Sequence, residues 1–155
     1  APLIDGLLEL LPKVALEQLE EVQLVRYAGE GQGFGWHEDV LGVDAATPDA
    51  GGQRVATVLV YLDECDKGRT LFHDLRGDNN QRLAVSPKRG RALLFFPAAT
   101  GTTTLGDAAS LMDDSRKTFG DAYFDDTRAD HRTSHAGEPP SGKHGIKGQK
   151  HIAQL

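Results

Sequence analysis

His37 and Asp39 are the residues whose types and spacing could bind a metal ion. Side chains on an extended strand alternate between its two faces, so residues two apart point the same way. One strand could therefore present an imidazole nitrogen and a carboxylate oxygen to a single ion. With a histidine from elsewhere in the chain, they would complete the 2-His-1-carboxylate set that binds non-haem Fe(II). A His-x-Asp pair alone is a weak signal, so the missing histidine must be found.

The second imidazole ligand has to come from one of five further histidines, at positions 73, 131, 135, 144 and 151. His135 is favoured because it stands at a predicted strand end, followed by Ala136 and Gly137. These small residues let the backbone approach a metal closely. His131 lies four residues earlier, which on a strand is the same face, and it remains the alternative ligand.

Length and composition indicate one soluble globular domain. The chain has 155 residues, enough for one hydrophobic core, of which 39% are hydrophobic and 26% charged. A net charge of -6 argues against a sequence-independent nucleic-acid surface, and no apolar run reaches membrane length. The single cysteine, Cys65, excludes an internal disulfide and thiolate-rich zinc sites. The acidic composition and lone cysteine favour the cytoplasm, and the secretory lumen stays open as an alternative.

The hydrophobic pattern predicts an N-terminal helical segment followed by many short strands. Apolar residues recur at intervals of three and four up to residue 16, and Pro12 is predicted to break the helix. A period of two predicts a strand over 22–27, and glycines 29, 31, 33 and 35 predict a loop before His37. Further strands are predicted at 54–62, 69–75, 83–86 and 91–96, and a final strand pair at 132–136 and 149–155. A mobile loop is predicted at 40–53 and a short helix at 107–119. This pattern favours a closed or two-sheet β architecture with one or two helices outside.

A series of motifs extends through most of residues 22–155. In chain order they are Leu24-Val25-Arg26-Tyr27, His37-x-Asp39, residues 53–62, Gly68-Arg69-Thr70-Leu71-Phe72, residues 85–96, His135-Ala136-Gly137-Glu138-Pro139 and Gly148-Gln149-Lys150. In this order they resemble the prolyl 4-hydroxylase-like branch of the 2-oxoglutarate and Fe(II)-dependent dioxygenases. The resemblance implies a mainly β double-stranded β-helix, a jelly roll, with one or two flanking N-terminal helices. It also implies a single catalytic domain over residues 1–155, which could lack strands that relatives carry upstream.

The resemblance implies a role for each residue of the proposed metal and cosubstrate site. His37, Asp39 and His135 would bind Fe(II), leaving positions on the metal for 2-oxoglutarate and dioxygen. The far carboxylate of 2-oxoglutarate needs a buried cation, because an unpaired buried charge is costly. Lys150 matches the family's lysine at the start of the last strand, and Lys147 is its rival.

Further side chains are implied around the same cavity. Tyr27 and Tyr61 would help to hold 2-oxoglutarate, although each could instead be a core aromatic with a satisfied hydroxyl. Thr57 shares a face of its predicted strand with Tyr61 and would line the cavity too. Arg54 and Trp36 are the candidate substrate-binding residues.

The implied reaction is hydroxylation of a peptidyl proline at carbon 4, coupled to decarboxylation of 2-oxoglutarate to succinate. Its cofactors would be Fe(II), 2-oxoglutarate, dioxygen and L-ascorbate. The partner would be a proline-containing peptide or protein held between 40–53 and 98–130, with no nucleic acid and no membrane. Two alternatives remain: a related dioxygenase acting on a free amino acid or other small molecule, and a catalytically idle metal-binding β-barrel. The sequence leaves the oligomeric state unknown.

Two features depart from the family pattern. Arg69 stands where the family usually has a second glycine before the threonine of this motif. Residues 136–149, between the predicted histidine ligand and Lys150, are longer than the corresponding connection in close relatives. Neither departure removes a predicted catalytic part, but each could change which substrate fits.

Overall fold

The computed structural model describes residues 2–11, 14–29, 31–42, 45–46, 52–98, 129–141 and 149–155. Several predictions fall outside these ranges: the break at Pro12, the helix at 107–119, much of the loop at 40–53, and the rival cation Lys147. The remaining predicted elements can be compared with the structure one by one.

In the described part of the chain, eight strands form two four-stranded antiparallel sheets. They are β1 (Gln23–Tyr27), β2 (Phe34–His37), β3 (Thr57–Tyr61), β4 (Thr70–Arg76), β5 (Arg82–Val85), β6 (Ala92–Phe95), β7 (His135–Gly137) and β8 (Lys150–Gln154). The first sheet has the order β1-β8-β3-β6 and the second the order β2-β7-β4-β5. Most neighbouring strands are therefore distant in the chain, as jelly-roll connections require. The prediction of a mainly β, double-stranded β-helix fold is confirmed.

The N-terminal helix α1 (Pro2–Leu10) packs on one face of the first sheet. Leu7 and Leu11 form a buried cluster with Val58 and Val60 of β3 and with Ala153 of β8. Within the described residues, short 3-10 helices lie at Leu16–Gln18 and His131–Thr133. No described helix has the length and apolar character that crossing a membrane requires.

The other face of β3 belongs to a second apolar cluster, which fills the space between the two sheets. Leu59 and Tyr61 pack there with Phe72 of the second sheet and Phe95 of the first. All five residues of β3 are buried, because one face meets α1 and the other meets the inter-sheet core. Burial on both faces explains why this segment is a continuous apolar run without polar alternation.

Three details of the strands differ from the sequence prediction. Phe34 and Gly35, predicted as part of a glycine loop, belong to β2. Residues 132 and 133, predicted as strand, lie in the 3-10 helix that precedes β7. The last two strands lie in different sheets, β7 beside β2 and β4, and β8 beside β1 and β3. In each case tertiary pairing decides what local propensity leaves undetermined.

Gly33 permits a close approach between the chain entering β2 and the end of β7. A Cβ atom at Gly33 would lie 2.8 Å from the carbonyl oxygen of Gly137 and 3.1 Å from Cδ of Pro139. We expect Gly33→Ala to lower the free energy of unfolding by about 1–3 kcal/mol, because backbone and ring atoms cannot easily move away. Thermal unfolding of the metal-free protein would then show a melting temperature several degrees lower.

Gly35→Ala is the matched control for this test, because no described atom lies within 4 Å of a Cβ built there. Its melting temperature should stay close to that of the unsubstituted protein. Equal melting temperatures for the two variants would contradict the close packing of the chain at Gly33.

Candidate active site

His37 and His135 face each other across the pair of strands β2 and β7. They are register partners in this antiparallel pair, and the centroids of their rings lie 4.2 Å apart. The register shifts between Phe34 and His37, so β2 contains a bulge. The ring of Phe34 contacts the ring of His37 at 4.2 Å, and both side chains line the same cavity. The bulge thus changes which side chains of β2 face the second histidine.

Asp39 reaches the two histidines from outside β2. The strand ends at His37, so the expectation that strand alternation would place the carboxylate is wrong. Asp39 lies in the irregular segment that follows and is only 4% exposed. Its Oδ1 atom is 3.6 Å from Nε2 of His37 and 3.9 Å from Nε2 of His135.

The three residues form a donor group that fits a metal ion. One ligand atom from each of His37, Asp39 and His135 lies within 4.8 Å of the others. Oδ2 of Asp39 is buried and has no hydrogen-bond partner among the described residues. A buried carboxylate oxygen without a partner is costly, and a cation bound at this group would remove that cost. Two imidazole nitrogens and a carboxylate are ligands that suit Fe(II).

Backbone carbonyls set the orientation of both imidazole rings. Nδ1 of His37 donates to the carbonyl oxygen of Gly35 at 2.8 Å, and Nδ1 of His135 donates to that of Thr133 at 3.0 Å. With the proton on Nδ1, each Nε2 keeps its lone pair for a metal. Burial lowers the pKa of His135, which favours the neutral ring that metal binding requires.

His131, the alternative ligand, lies outside this donor group. It begins a 3-10 helix, so the strand geometry that would have placed it on the same face as His135 does not apply. Its Nδ1 atom is 3.0 Å and 3.2 Å from the carboxylate oxygens of Glu38, and its side chain is 75% exposed. Within the described part of the chain, the structure therefore brings His135 rather than His131 to His37 and Asp39.

A cavity of about 200 Å³ adjoins the donor group and extends to Lys150. Lys150 is 1% exposed, and its Nζ donates to the carbonyl oxygen of Gly68 at 2.9 Å. The same ammonium lies 4.2 Å from the ring centroid of Tyr27, its register partner on β1. Burial lowers the pKa of Lys150 to about 8. The nearby acidic groups of Cys65 and Glu138 act in the opposite direction and raise this pKa. The wall of the cavity thus carries an ammonium group that remains mostly charged at neutral pH.

The hydroxyl residues around this cavity are only partly those expected. Tyr27 lines it, whereas Tyr61 is fully buried and its hydroxyl lies 2.7 Å from Oγ1 of Thr70. Thr70, which was not among the predicted site residues, lines the cavity and shares a face of β4 with the core residue Phe72. Thr57 borders a larger neighbouring cavity instead.

The larger cavity, about 600 Å³, lies between the N-terminal segment and β3. It shares Gln23, Arg54 and Gln154 with the smaller cavity, so the two are adjacent. The guanidinium of Arg54 is held by Glu20 through hydrogen bonds of 2.7 Å and 3.0 Å. Arg54 therefore borders both cavities while its charge is paired.

Trp36, the other candidate substrate-binding residue, lies elsewhere. It is 47% exposed, and its ring contacts the ring of His73 at 5.3 Å between centroids. The guanidinium of Arg82 lies 5.4 Å from the Trp36 ring. Trp36 is absent from the described lining of both cavities, so the structure does not bring it to the metal group.

Comparison with known proteins shows sequence similarity to one family. The 2OG-Fe(II) oxygenase superfamily model matches residues 22–150. Prolyl 4-hydroxylase 2 of Arabidopsis thaliana is 37% identical over 102 residues, which cover 56% of this chain and 32% of that protein. Prolyl 4-hydroxylase 5 of the same plant is 34% identical over 97 residues, which cover 54% of this chain and 33% of that protein. Prolyl 4-hydroxylase 1 is 31% identical over 101 residues, which cover 60% of this chain and 35% of that protein. The chain spans about a third of the length of these curated relatives.

The matched region runs from the residue before β1 to the first residue of β8. It therefore contains seven complete strands and every residue of the donor group, together with Lys150. The resemblance that the motifs indicated is confirmed. By fold, by site and by sequence, this chain belongs to the 2OG-Fe(II) oxygenase superfamily.

Proposed function

We propose that this chain is a 2-oxoglutarate- and Fe(II)-dependent dioxygenase that hydroxylates proline in a peptide or protein at carbon 4. One observation carries the proposal: the His37, Asp39 and His135 donor group adjoins a cavity that also holds the Lys150 ammonium, and one of its carboxylate oxygens has no partner in the described part of the chain. Relatives named prolyl 4-hydroxylases support proline as the target. L-ascorbate is proposed as the reductant that keeps the metal ferrous, on the family resemblance alone.

The donor group would hold Fe(II) through Nε2 of each histidine and the carboxylate of Asp39. Bound Fe(II), with 2-oxoglutarate and dioxygen, supplies the oxidising power that inserts one oxygen atom into a C–H bond. The protein's part is to keep these ligands in place. The carbonyls of Gly35 and Thr133 hold the rings, and Phe95 packs against His135 with 4.9 Å between ring centroids.

Lys150 would pair with the far carboxylate of 2-oxoglutarate. A carboxylate buried without a cation would be strongly disfavoured, so this ammonium selects a dicarboxylate that reaches from the metal to β8. Thr70 offers a hydroxyl along the same wall, and its contact with Tyr61 limits the directions in which that hydroxyl can point. Apolar residues that include Leu59 and Ile152 complete the wall and exclude water.

A peptide suits the two adjoining cavities better than a free amino acid. A target proline beside the donor group would leave the flanking residues of an extended chain to occupy the larger cavity past Arg54. The charge of Arg54 is already paired with that of Glu20. A peptide would therefore accept hydrogen bonds from the remaining guanidinium N–H groups and would not meet an unpaired positive charge.

His135→Ala should weaken binding of Mn(II), a redox-inert substitute for Fe(II), by about a hundredfold or more. The substitution removes a metal ligand itself, which costs more affinity than removing a residue that only orients a ligand. Succinate formation with Fe(II) should be lost as well. His131→Ala is the control, because that ring contacts Glu38 and lies outside the donor group. Calorimetric titration with Mn(II) measures both variants. Retained binding in His135→Ala together with lost binding in His131→Ala would show that the ligand assignment is wrong.

Lys150→Met should raise the dissociation constant of 2-oxoglutarate about a hundredfold or more, because it leaves a buried carboxylate without its cation. Mn(II) affinity should be unchanged. In the unsubstituted enzyme, kcat/KM for 2-oxoglutarate should fall as the pH rises through about 8, where the Lys150 ammonium loses its proton. Lys147→Ala tests the rival cation. A larger loss of 2-oxoglutarate affinity in that variant would contradict the choice of Lys150.

Proline-containing peptides should accelerate Fe(II)-dependent succinate formation, and free proline should not. Mass spectrometry should find one added oxygen in the peptide, and NMR of the hydrolysed product should identify 4-hydroxyproline. Acceleration by free amino acids alone would favour the small-molecule dioxygenase instead. If no succinate forms with any of these substrates, the idle metal-binding barrel becomes the better interpretation.

A further inference from the structure

The Lys150 ammonium is held by a backbone group whose own position depends on two neighbouring residues. Its hydrogen bond to the carbonyl oxygen of Gly68 takes one of three N–H donors. The other two donors are then available to a carboxylate in the cavity. The direction of those two donors depends on where the Gly68 carbonyl lies.

Gly68 lies in a crowded place and in a backbone conformation that suits glycine. Its φ is +81°, and a Cβ there would lie 3.0 Å from Sγ of Cys65, 3.3 Å from Cδ of Lys150 and 3.4 Å from Cα of Pro140. The chain therefore passes against the lysine stem without a side chain between them. A small rotation of this peptide would move the acceptor of the ammonium.

The next residue, Arg69, ties this peptide to the end of β7. Its Nε and Nη2 donate to the two carboxylate oxygens of Glu138, each at 2.8 Å. The backbone adds two more bonds, from the Arg69 N–H to Oε2 of Glu138 at 3.3 Å and from the Glu138 N–H to the Arg69 carbonyl at 2.9 Å. Thr70 and Gly137, the adjacent residues, are register partners in β4 and β7. The Arg69–Glu138 pair thus extends the pairing of β4 with β7 by one residue, to Arg69, which directly follows Gly68.

The electrostatics of the pair agree with this arrangement. The hydrogen bonds from Arg69 lower the pKa of Glu138 to about 2, so the carboxylate stays ionised over the whole working range of pH. The side chains of Arg69 and Glu138 are 44% and 19% exposed, and ion pairs so exposed contribute little to global stability. A strong effect of breaking the pair should therefore appear locally and not in overall unfolding.

We propose that Arg69 and Glu138 form a positioning pair that holds the Gly68 carbonyl and thereby orients the Lys150 ammonium toward the cosubstrate carboxylate. This inference rests on the proposed function, because it assumes that Lys150 binds 2-oxoglutarate.

The test is a double-mutant cycle with Arg69→Gln, Glu138→Gln and the combined variant, all loaded with Mn(II) so that no turnover occurs. Each single variant should raise the dissociation constant of 2-oxoglutarate about tenfold, because removing a residue that orients a binding group typically costs about this much affinity. The combined variant should be no worse than either single one, because both break the same pair. Melting temperature and Mn(II) affinity should hardly change. In a separate turnover assay with Fe(II), KM for 2-oxoglutarate should rise more than kcat falls.

Arg132→Gln is the matched control. Arg132 makes a similar two-bond pair with Asp130, at 2.7 Å and 2.6 Å, but neither residue touches Gly68. Its 2-oxoglutarate affinity should stay within about twofold of the unsubstituted protein, because Arg132 and Asp130 make no bond to Gly68 or Lys150.

The groups that face the ammonium from the surrounding elements are Tyr27 on β1, Cys65 before Gly68, and Glu138 after β7. Glu138 could act on Lys150 through its charge alone, and Arg69→Gln separates the two possibilities because it leaves that charge in place. Unchanged 2-oxoglutarate affinity in Arg69→Gln would overturn the proposal. If Lys150→Met also leaves the affinity unchanged, the proposed function fails at its cation; if only Lys150→Met weakens binding, the positioning pair alone is wrong.

Discussion

The pairing of β2 with β7 is the constraint on which the rest of the site depends. It sets His37 opposite His135, and the bulge in β2 brings Phe34 to the same cavity. The close approach at Gly33 and the carbonyls that orient the two rings all belong to this pair of strands or to residues beside it. The donor group is therefore built mainly by one local strand contact, while the rest of the barrel supplies burial around it.

Burial has opposite consequences for the two ends of the cavity. At the donor group it leaves a carboxylate oxygen of Asp39 without a partner among the described residues and disfavours protonation of His135, and both effects favour a bound cation. At β8 it surrounds the Lys150 ammonium with Tyr27 and the Gly68 carbonyl, which favours a bound anion. A ligand that binds a metal at one end and carries a carboxylate at the other matches both ends. 2-Oxoglutarate has this chemistry.

The sequence predicted the fold class, and its three candidate metal ligands lie together in the structure, whereas several other residues of the cavity could not be predicted. Strand-forming runs such as β3 are visible because burial on both faces leaves an unbroken apolar sequence. The pairing partners of each strand are not visible in the sequence, because β7 and β8 are adjacent in chain order and yet lie in different sheets. The structure brings Asp39 together with His37 and His135, although Asp39 lies beyond the strand that was expected to carry it. Thr70 and the contact between Arg69 and Glu138 depend on tertiary packing, which spacing in the sequence does not reveal.

The central claim is that one metal ion binds between three side chains with 2-oxoglutarate reaching from it to Lys150. A crystal structure with Mn(II) and 2-oxoglutarate, with the metal located by anomalous scattering, tests it most directly. The account predicts one metal peak within bonding distance of His37, Asp39 and His135, and a 2-oxoglutarate carboxylate against the ammonium of Lys150. A metal peak bonded to other residues, or a 2-oxoglutarate whose far carboxylate lies away from Lys150, would contradict it.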